Sequence, residues 1–151
     1  MKLEDSIKQS KFKTAHHKLL LNIIYTAGLL NAQQTRFFKK YDLSPQQYNV
    51  LRILRGQYPH PASVGLVQDR MLDQMSNASR LIEKLKQKSL LERRECKEDR
   101  RQVDVMLTES GMNLLSLIDQ EFGSFEQGLA PLTDADASSL NDLLDRLNEK
   151  L

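Results

Sequence analysis

Residues 63–111 read SVGLVQDRMLDQMSNASRLIEKLKQKSLLERRECKEDRRQVDVMLTESG, and this stretch decides the fold. Ser63 is placed to cap a short helix from Val64 to about Arg70. A brief break at Leu72-Asp73 follows. The next helix spans about Met75 to Lys88, with Ala78, Leu81, Ile82 and Leu85 at i, i+3, i+4 and i+7. Two short helices joined by a tight break predict a helix-turn-helix. Leu90–Arg94 and the β-preferring run Val103–Leu107 then flank a charged tip, Glu95–Arg101. That pattern predicts a β-hairpin, and a long tip without Gly excludes a two-residue turn.

The flanks on both sides read as helices. Upstream, Asp42-Leu43-Ser44-Pro45-Gln46-Gln47 is a helix start: Ser44 caps, Pro45 suits the first position, and Gln47 completes a capping box. That helix carries Tyr48, Leu51 and Leu54 to about Arg55, where Gly56 is expected to stop it. Residues 12–40 predict one long helix, with a stripe of Leu20, Ile23, Ile24, Ala27 and Leu30 widened by Leu19, Leu21 and Leu29. A stripe that broad suits burial on two sides, as between subunits. Downstream, Thr108 caps a helix reaching about Gly128, with a heptad-like seam of Gly111, Leu115, Ile118, Phe122, Phe125 and Leu129. Pro131 breaks the chain. Thr133 with Asp136 starts a last helix bearing Leu140, Leu143, Leu144, Leu147 and Leu151. The expected fold is mainly α, in the order α-α-α-α-β-β-α-α.

Composition bounds the class. A chain of 151 residues, 40% hydrophobic and 28% charged, can bury one globular core. No run approaches the roughly 18 apolar residues of a membrane span. Met1–Lys18 is polar and charged, unlike a secretory signal. The single cysteine, Cys96, excludes an internal disulfide and fits a cytoplasmic protein. The net charge of +2 conceals an asymmetry. Residues 1–60 hold 10 Lys/Arg against 3 Asp/Glu, residues 70–101 hold 10 against 6, and residues 119–151 hold 2 against 8. The basic parts suit a polyanion, although solvated helix faces would look the same.

With its apolar stripe turned inward, the 75–88 helix would present Ser76, Arg80, Glu83, Lys84 and Gln87, flanked by Asn77 and Ser79. Arg can bind guanine bidentately, and Asn can do the same for adenine. Lys84 and Lys88 suit phosphates, which position without specifying sequence. Taken alone, such a helix is more often an ordinary amphipathic surface. The hairpin tip adds Lys97, Asp99, Arg100 and Arg101. An Arg on a narrow hairpin can enter a minor groove, and Asp99 could brace it.

Several linked motifs carry a resemblance. Asp99-Arg100-Arg101, followed after five residues by Leu107-Thr108-Glu109-Ser110-Gly111, resembles the wing signature of the MarR/SlyA family. Ser76–Leu85 resembles that family's recognition helix, Leu90–Arg94 its first wing strand, and Leu43–Tyr48 the start of its second helix. The resemblance covers about Leu43 to Gly111 in the correct order. It implies a winged helix-turn-helix lobe at 43–108 and a dimerisation region at 1–42 and 109–151. The implied function is a homodimeric transcriptional regulator, commonly a repressor, that binds double-stranded DNA at pseudo-palindromic operators with an affinity altered by a small-molecule effector, which could release it, or by an oxidant. The candidate DNA-binding residues are Ser63, Ser76, Asn77, Ser79, Arg80, Lys84, Lys97, Asp99, Arg100 and Arg101, of which the resemblance turns Ser76, Asn77 and Arg80 toward the major groove. Arg101 would be the wing arginine, held by Asp99. Two positions depart from the family: Leu72 and Ser89 stand where it usually has Gly.

Other chemistry finds no support in the sequence. Cys96 is read as incidental, despite Arg94 and Lys97 beside it. His16 and His17 diverge by about 100° on a helix and cannot chelate together, and His60 is alone. No metal, cofactor or catalytic constellation is expected, so no enzyme. Tyr25, Phe37, Phe38, Tyr41 and Tyr48 could line an effector cleft, but aromatics at helical spacing are more often core. The alternative is a winged-helix module for protein–protein contact, whose face should show exposed apolar anchors.

Overall fold

The computed structural model describes residues 2–95, 103–126 and 131–151. The described elements are α1 (Leu3–Ile7), α2 (Ala15–Lys39), α3 (Pro45–Gln57), β1 (Ala62–Ser63), α4 (Val64–Asp69), α5 (Ala78–Gln87), β2 (Leu91–Glu95), β3 (Val103–Leu107), α6 (Glu109–Glu126) and α7 (Asp134–Asn148). They match the expected mainly helical order, with α1 and β1 added. The chain forms two compact units, Met1–Asn113 and Leu114–Leu151, whose boundary falls inside α6.

The first unit is built on a core of Phe38, Val50, Leu51, Leu54, Val67, Met71, Ile82, Leu85, Leu91 and Val105. Phe38 stacks on Tyr48 at 4.2 Å, and Phe37 meets Phe38 edge-on at 5.1 Å. These three aromatics are therefore core, not the lining of a cleft. The sheet is antiparallel in the order β1-β3-β2. Leu91 pairs with Leu107 and Arg93 with Val105, while Ala62 closes the other side of Val105. Strand β1 has only two residues and forms by pairing with β3, so no local pattern announces it.

The helix starts follow their caps. Ser44 accepts from Gln47 N–H at 3.1 Å, and Gln47 Oε1 accepts from Ser44 N–H at 3.0 Å, completing the capping box. Ser63 accepts from Leu66 N–H, and Thr108 accepts from Gly111 N–H, both at 3.1 Å. Each cap satisfies a backbone donor that the helix itself leaves open. Gly56 does not end α3. The helix runs through it to Gln57, because one exposed Gly weakens a helix by only about 1 kcal/mol and the apolar face beneath is already fixed.

Helix α5 ends in a Schellman arrangement: Leu90 N–H bonds Leu85 C=O at 3.1 Å and Ser89 N–H bonds Lys86 C=O at 2.9 Å. Ser89 takes the left-handed backbone with φ 59°, so the position where Gly was missed does have a glycine's geometry. Leu72 does not: its φ is not positive, and the turn closes without left-handed geometry. Left-handed backbone costs a residue with a β-carbon about 1–2 kcal/mol. Ser89→Gly is therefore expected to raise the unfolding free energy by about 1 kcal/mol, less the extra unfolded-state entropy of Gly. Urea unfolding checks this, and an unchanged or lower midpoint would contradict the strain at Ser89.

In the second unit, α7 starts on the Thr133–Asp136 capping box. The Thr133 hydroxyl, and then its backbone N–H, hold the Asp136 carboxyl below its usual pKa. This contribution is present above the ordinary carboxylate pKa and is lost as pH falls through the lowered one. No residue of α7 is buried, and Leu140, Leu143 and Leu147 are exposed. Leu115 and Ile118 of α6 are fully buried. No described helix is long and apolar enough to cross a membrane.

Candidate nucleic-acid interface

Helix α5 starts three residues later than its apolar spacing predicts. Met75 lies in phase with Ala78, Ile82 and Leu85, yet it belongs to the turn before the helix. Residues 73–76 form a hydrogen-bonded turn: Ser76 N–H bonds Asp73 C=O at 3.0 Å, and Met75 N–H bonds Asp73 Oδ1 at 3.0 Å. Asn77 is the N-cap, and its Oδ1 accepts from Arg80 N–H at 3.0 Å. The break between α4 and α5 is thus 70–77, longer than the sequence suggested.

This shift redistributes the expected contacts. Ser76 lies outside the helix, so the 100° projection does not apply to it. Its hydroxyl is buried and has no hydrogen-bond partner among the described residues. The structure therefore does not set that hydroxyl on the outer face. Asn77 spends its side-chain oxygen on the cap, and freeing it for a bidentate adenine contact would cost about 1 kcal/mol. Its Nδ2 remains available as a donor. Ser79, Arg80 and Lys84 are exposed on α5. Arg80 and Lys84 make no ion pair with the described residues. A groove of about 420 Å³ runs here, lined by Met75, Ser76, Asn77, Arg80, Leu81 and Lys84.

Three contacts brace this helix. The first is Gln68 on α4, whose Nε2 donates to Ser76 C=O at 2.9 Å while its Oε1 accepts from Ala78 N–H at 3.0 Å. One side chain thereby fixes both sides of the helix start. The second is Asn49 on α3, whose Oδ1 accepts from Leu72 N–H at 2.8 Å and holds the turn. The third links α5 to the first wing strand through Arg93 and Glu83 at 3.1 Å; both are partly exposed, so its energetic worth is small. Gln68 and Asn49 were not legible as site residues, because their partners are backbone groups in an irregular segment. Gln68→Leu leaves two backbone groups unpaired and is expected to lower the unfolding free energy by about 1–3 kcal/mol. A wild-type urea midpoint in this variant would show that the bracket carries nothing.

Lys88 is not a phosphate ligand in waiting. Its ammonium bonds the Asp42 carbonyl and, at 2.8 Å, the Asp42 carboxylate, tying the end of α5 to the α2–α3 corner. Asp42 accommodates left-handed backbone there, with φ 54°. Ser63 serves as the α4 cap and lies in β1, with its hydroxyl oxygen engaged by Leu66 N–H. Lys97, Asp99, Arg100, Arg101 and Cys96 lie outside the described residues. Strand β2 ends at Glu95 and strand β3 begins at Val103. Among the described residues, no cluster of three or more His, Cys, Asp or Glu could hold a metal.

A second concavity, about 410 Å³, lies between α2, α3 and the turn, against Ala27, Asn31, Gln34, Gln46, Asn49 and Leu72. None of the five aromatics considered from sequence lines it.

Residues 43–103 match the model of the MarR family. Over 125 residues the chain is 26% identical to the HTH-type transcriptional regulator PecS of Dickeya dadantii, covering 82% of this chain and 75% of PecS. Among solved structures, a putative MarR-like transcription regulator from Bacillus cereus superposes with a TM-score of 0.79 at 23% identity, over 90% of this chain and 97% of that one. MepR of S. aureus, in a complex with DNA, superposes with a TM-score of 0.77 at 19% identity, over 93% and 100%.

Proposed function

We propose that this chain is a winged-helix transcriptional regulator of the MarR family, whose model its residues 43–103 match, and that it binds a pseudo-palindromic DNA operator as a homodimer and represses transcription until a small ligand releases it. The observation that carries the reading is α5. Its outer face offers Ser79, Arg80 and Lys84 on a start held rigid by Gln68 and Asn77. A helix that enters the major groove by its first turns needs this pairing of free polar groups and fixed backbone. Arg80 reads a base edge, Lys84 meets a phosphate, and Asn77 donates through Nδ2. On the wing, Arg101 meets the minor groove or a phosphate and Asp99 orients it, with Lys97 and Arg100 adding positive charge.

Dimerisation is supported by apolar surface in each unit taken separately. On α2, Leu19, Leu20, Ile24 and Leu29 are exposed; on α7, Leu140, Leu143 and Leu147 are exposed. Apolar stripes of this kind mark association surfaces. The cavity against Asn49 and Leu72 supports ligand release, because an occupant there would press on the contact that holds the turn.

One observation favours a second reading. Leu72 and Met75 are strongly exposed, and apolar anchors of that kind suit a protein partner. Selection of bound duplexes from a random library separates the two. The regulator reading expects an enriched palindrome with half-sites about 10 bp apart. A library that yields no motif would favour the protein-binding module.

A further inference from the structure

Leu72 and Met75 are 82% and 93% exposed, whereas Met is among the residue types most often buried. Met75 adds nothing to the core. Its backbone, however, is firmly held. Its own N–H bonds Asp73 Oδ1, the next N–H bonds Asp73 C=O, and Gln68 grips the Ser76 carbonyl. Gln74 Nε2 closes the same turn on Met71 C=O at 2.7 Å. The result is an apolar side chain on a braced mount.

Leu72 and Met75 face different concavities. Leu72 lines the cavity against α2 and α3. Met75 lines the α5 groove together with Asn77, Arg80 and Lys84. That groove is apolar at one end and cationic along the other, and its two cations have no carboxylate partner among the described residues. An apolar protein anchor would cover Met75 and leave Arg80 and Lys84 desolvated without anions, which is costly. The DNA major groove offers all three complements: phosphates, guanine acceptors, and the C5 methyl of thymine, its apolar feature.

We propose that Met75 is a specificity-determining residue that reads a thymine methyl group in each half-site. The proposal rests on the DNA-binding reading above. An unbranched, polarisable thioether suits the contact, because it can settle against a methyl without demanding one exact backbone distance. Burying one methyl-sized group is worth about 0.8 kcal/mol, or roughly fourfold in affinity per half-site.

The test uses the selected operator with each symmetric pair of thymines replaced in turn by deoxyuracil, which removes only the methyl. Mobility-shift titrations compare the wild type with Met75→Ala, a change at a solvent-exposed position that leaves the core intact. One uracil pair is expected to weaken the wild type by roughly tenfold to twentyfold over two half-sites. The same pair is expected to leave Met75→Ala unaffected. A wild type indifferent to every uracil pair overturns the proposal, as does a Met75→Ala that keeps the sensitivity. In either case selective binding itself survives, and only the role of Met75 falls. A wild type that binds no duplex selectively overturns both the proposal and the function beneath it.

Discussion

Gly111→Ala is expected to lower the unfolding free energy by about 3 kcal/mol, the largest effect expected of an added methyl at any of the described glycines. A β-carbon at Gly111 would sit inside van der Waals contact of the Leu90 carbonyl oxygen, 3.1 Å from its carbon and 3.2 Å from Leu107 Cδ2. Two of those three atoms are backbone and cannot rotate away. The Leu90 carbonyl also accepts from Thr108 N–H at 3.2 Å, and the Thr108 hydroxyl bonds Ser89 C=O at 2.7 Å. Moving either side of the contact therefore disturbs the α6 cap, the end of α5 and the root of the wing together. Sequence spacing placed Gly111 in a heptad seam; the structure gives it the tighter task of letting α6 pass against the 89–91 segment. Thermal unfolding at fixed protein concentration should show a midpoint roughly 6–12 °C lower. A wild-type midpoint would mean that α6 does not start where the structure puts it.

Arg80→Ala should do the opposite, leaving the fold intact and damaging recognition. Arg80 is exposed and makes no ion pair with the described residues, so unfolding should change little. Loss of a bidentate base contact costs about 1–3 kcal/mol at the contacted base pair, and a homodimer loses it twice. Operator affinity should fall by about 30-fold to 10⁴-fold, with preference relaxed at one position per half-site. Affinity for unrelated duplex should fall far less. Equal losses on both DNAs would demote Arg80 from base reader to phosphate ligand.

The contrast between these two residues shows what was legible in the sequence. Ser44, Ser63, Thr108 and Thr133 announced their helices because capping is chemistry between residues three apart. Ala78, Ile82 and Leu85 announced a buried face by period. Local rules failed where side chains fold an irregular turn or where distant groups decide. Met75 mimicked the helical phase, but Asp73 and Gln68 hold it in a turn. Ser76 was projected outward by a helix it does not join. Lys88 looked like a free cation until the chain brought Asp42 beside it, 46 residues away in sequence. Strand β1 and the Gly111 contact likewise arise from chain segments far apart or backbone passing close. Among the candidate site residues, Arg80, Ser79 and Lys84 keep the outward placement that sequence predicted. The wing residues Lys97, Asp99, Arg100 and Arg101 lie outside the described residues and enter as proposals from the family pattern.

Selective recognition of DNA by two copies of this chain is directly measurable. Its most direct test is equilibrium binding to the selected palindrome and to a scrambled duplex of equal length and composition, at one fixed salt concentration near physiological. Two chains per palindrome and a preference of about 10³-fold or more for it are expected. Equal affinity for the two duplexes would contradict selective recognition.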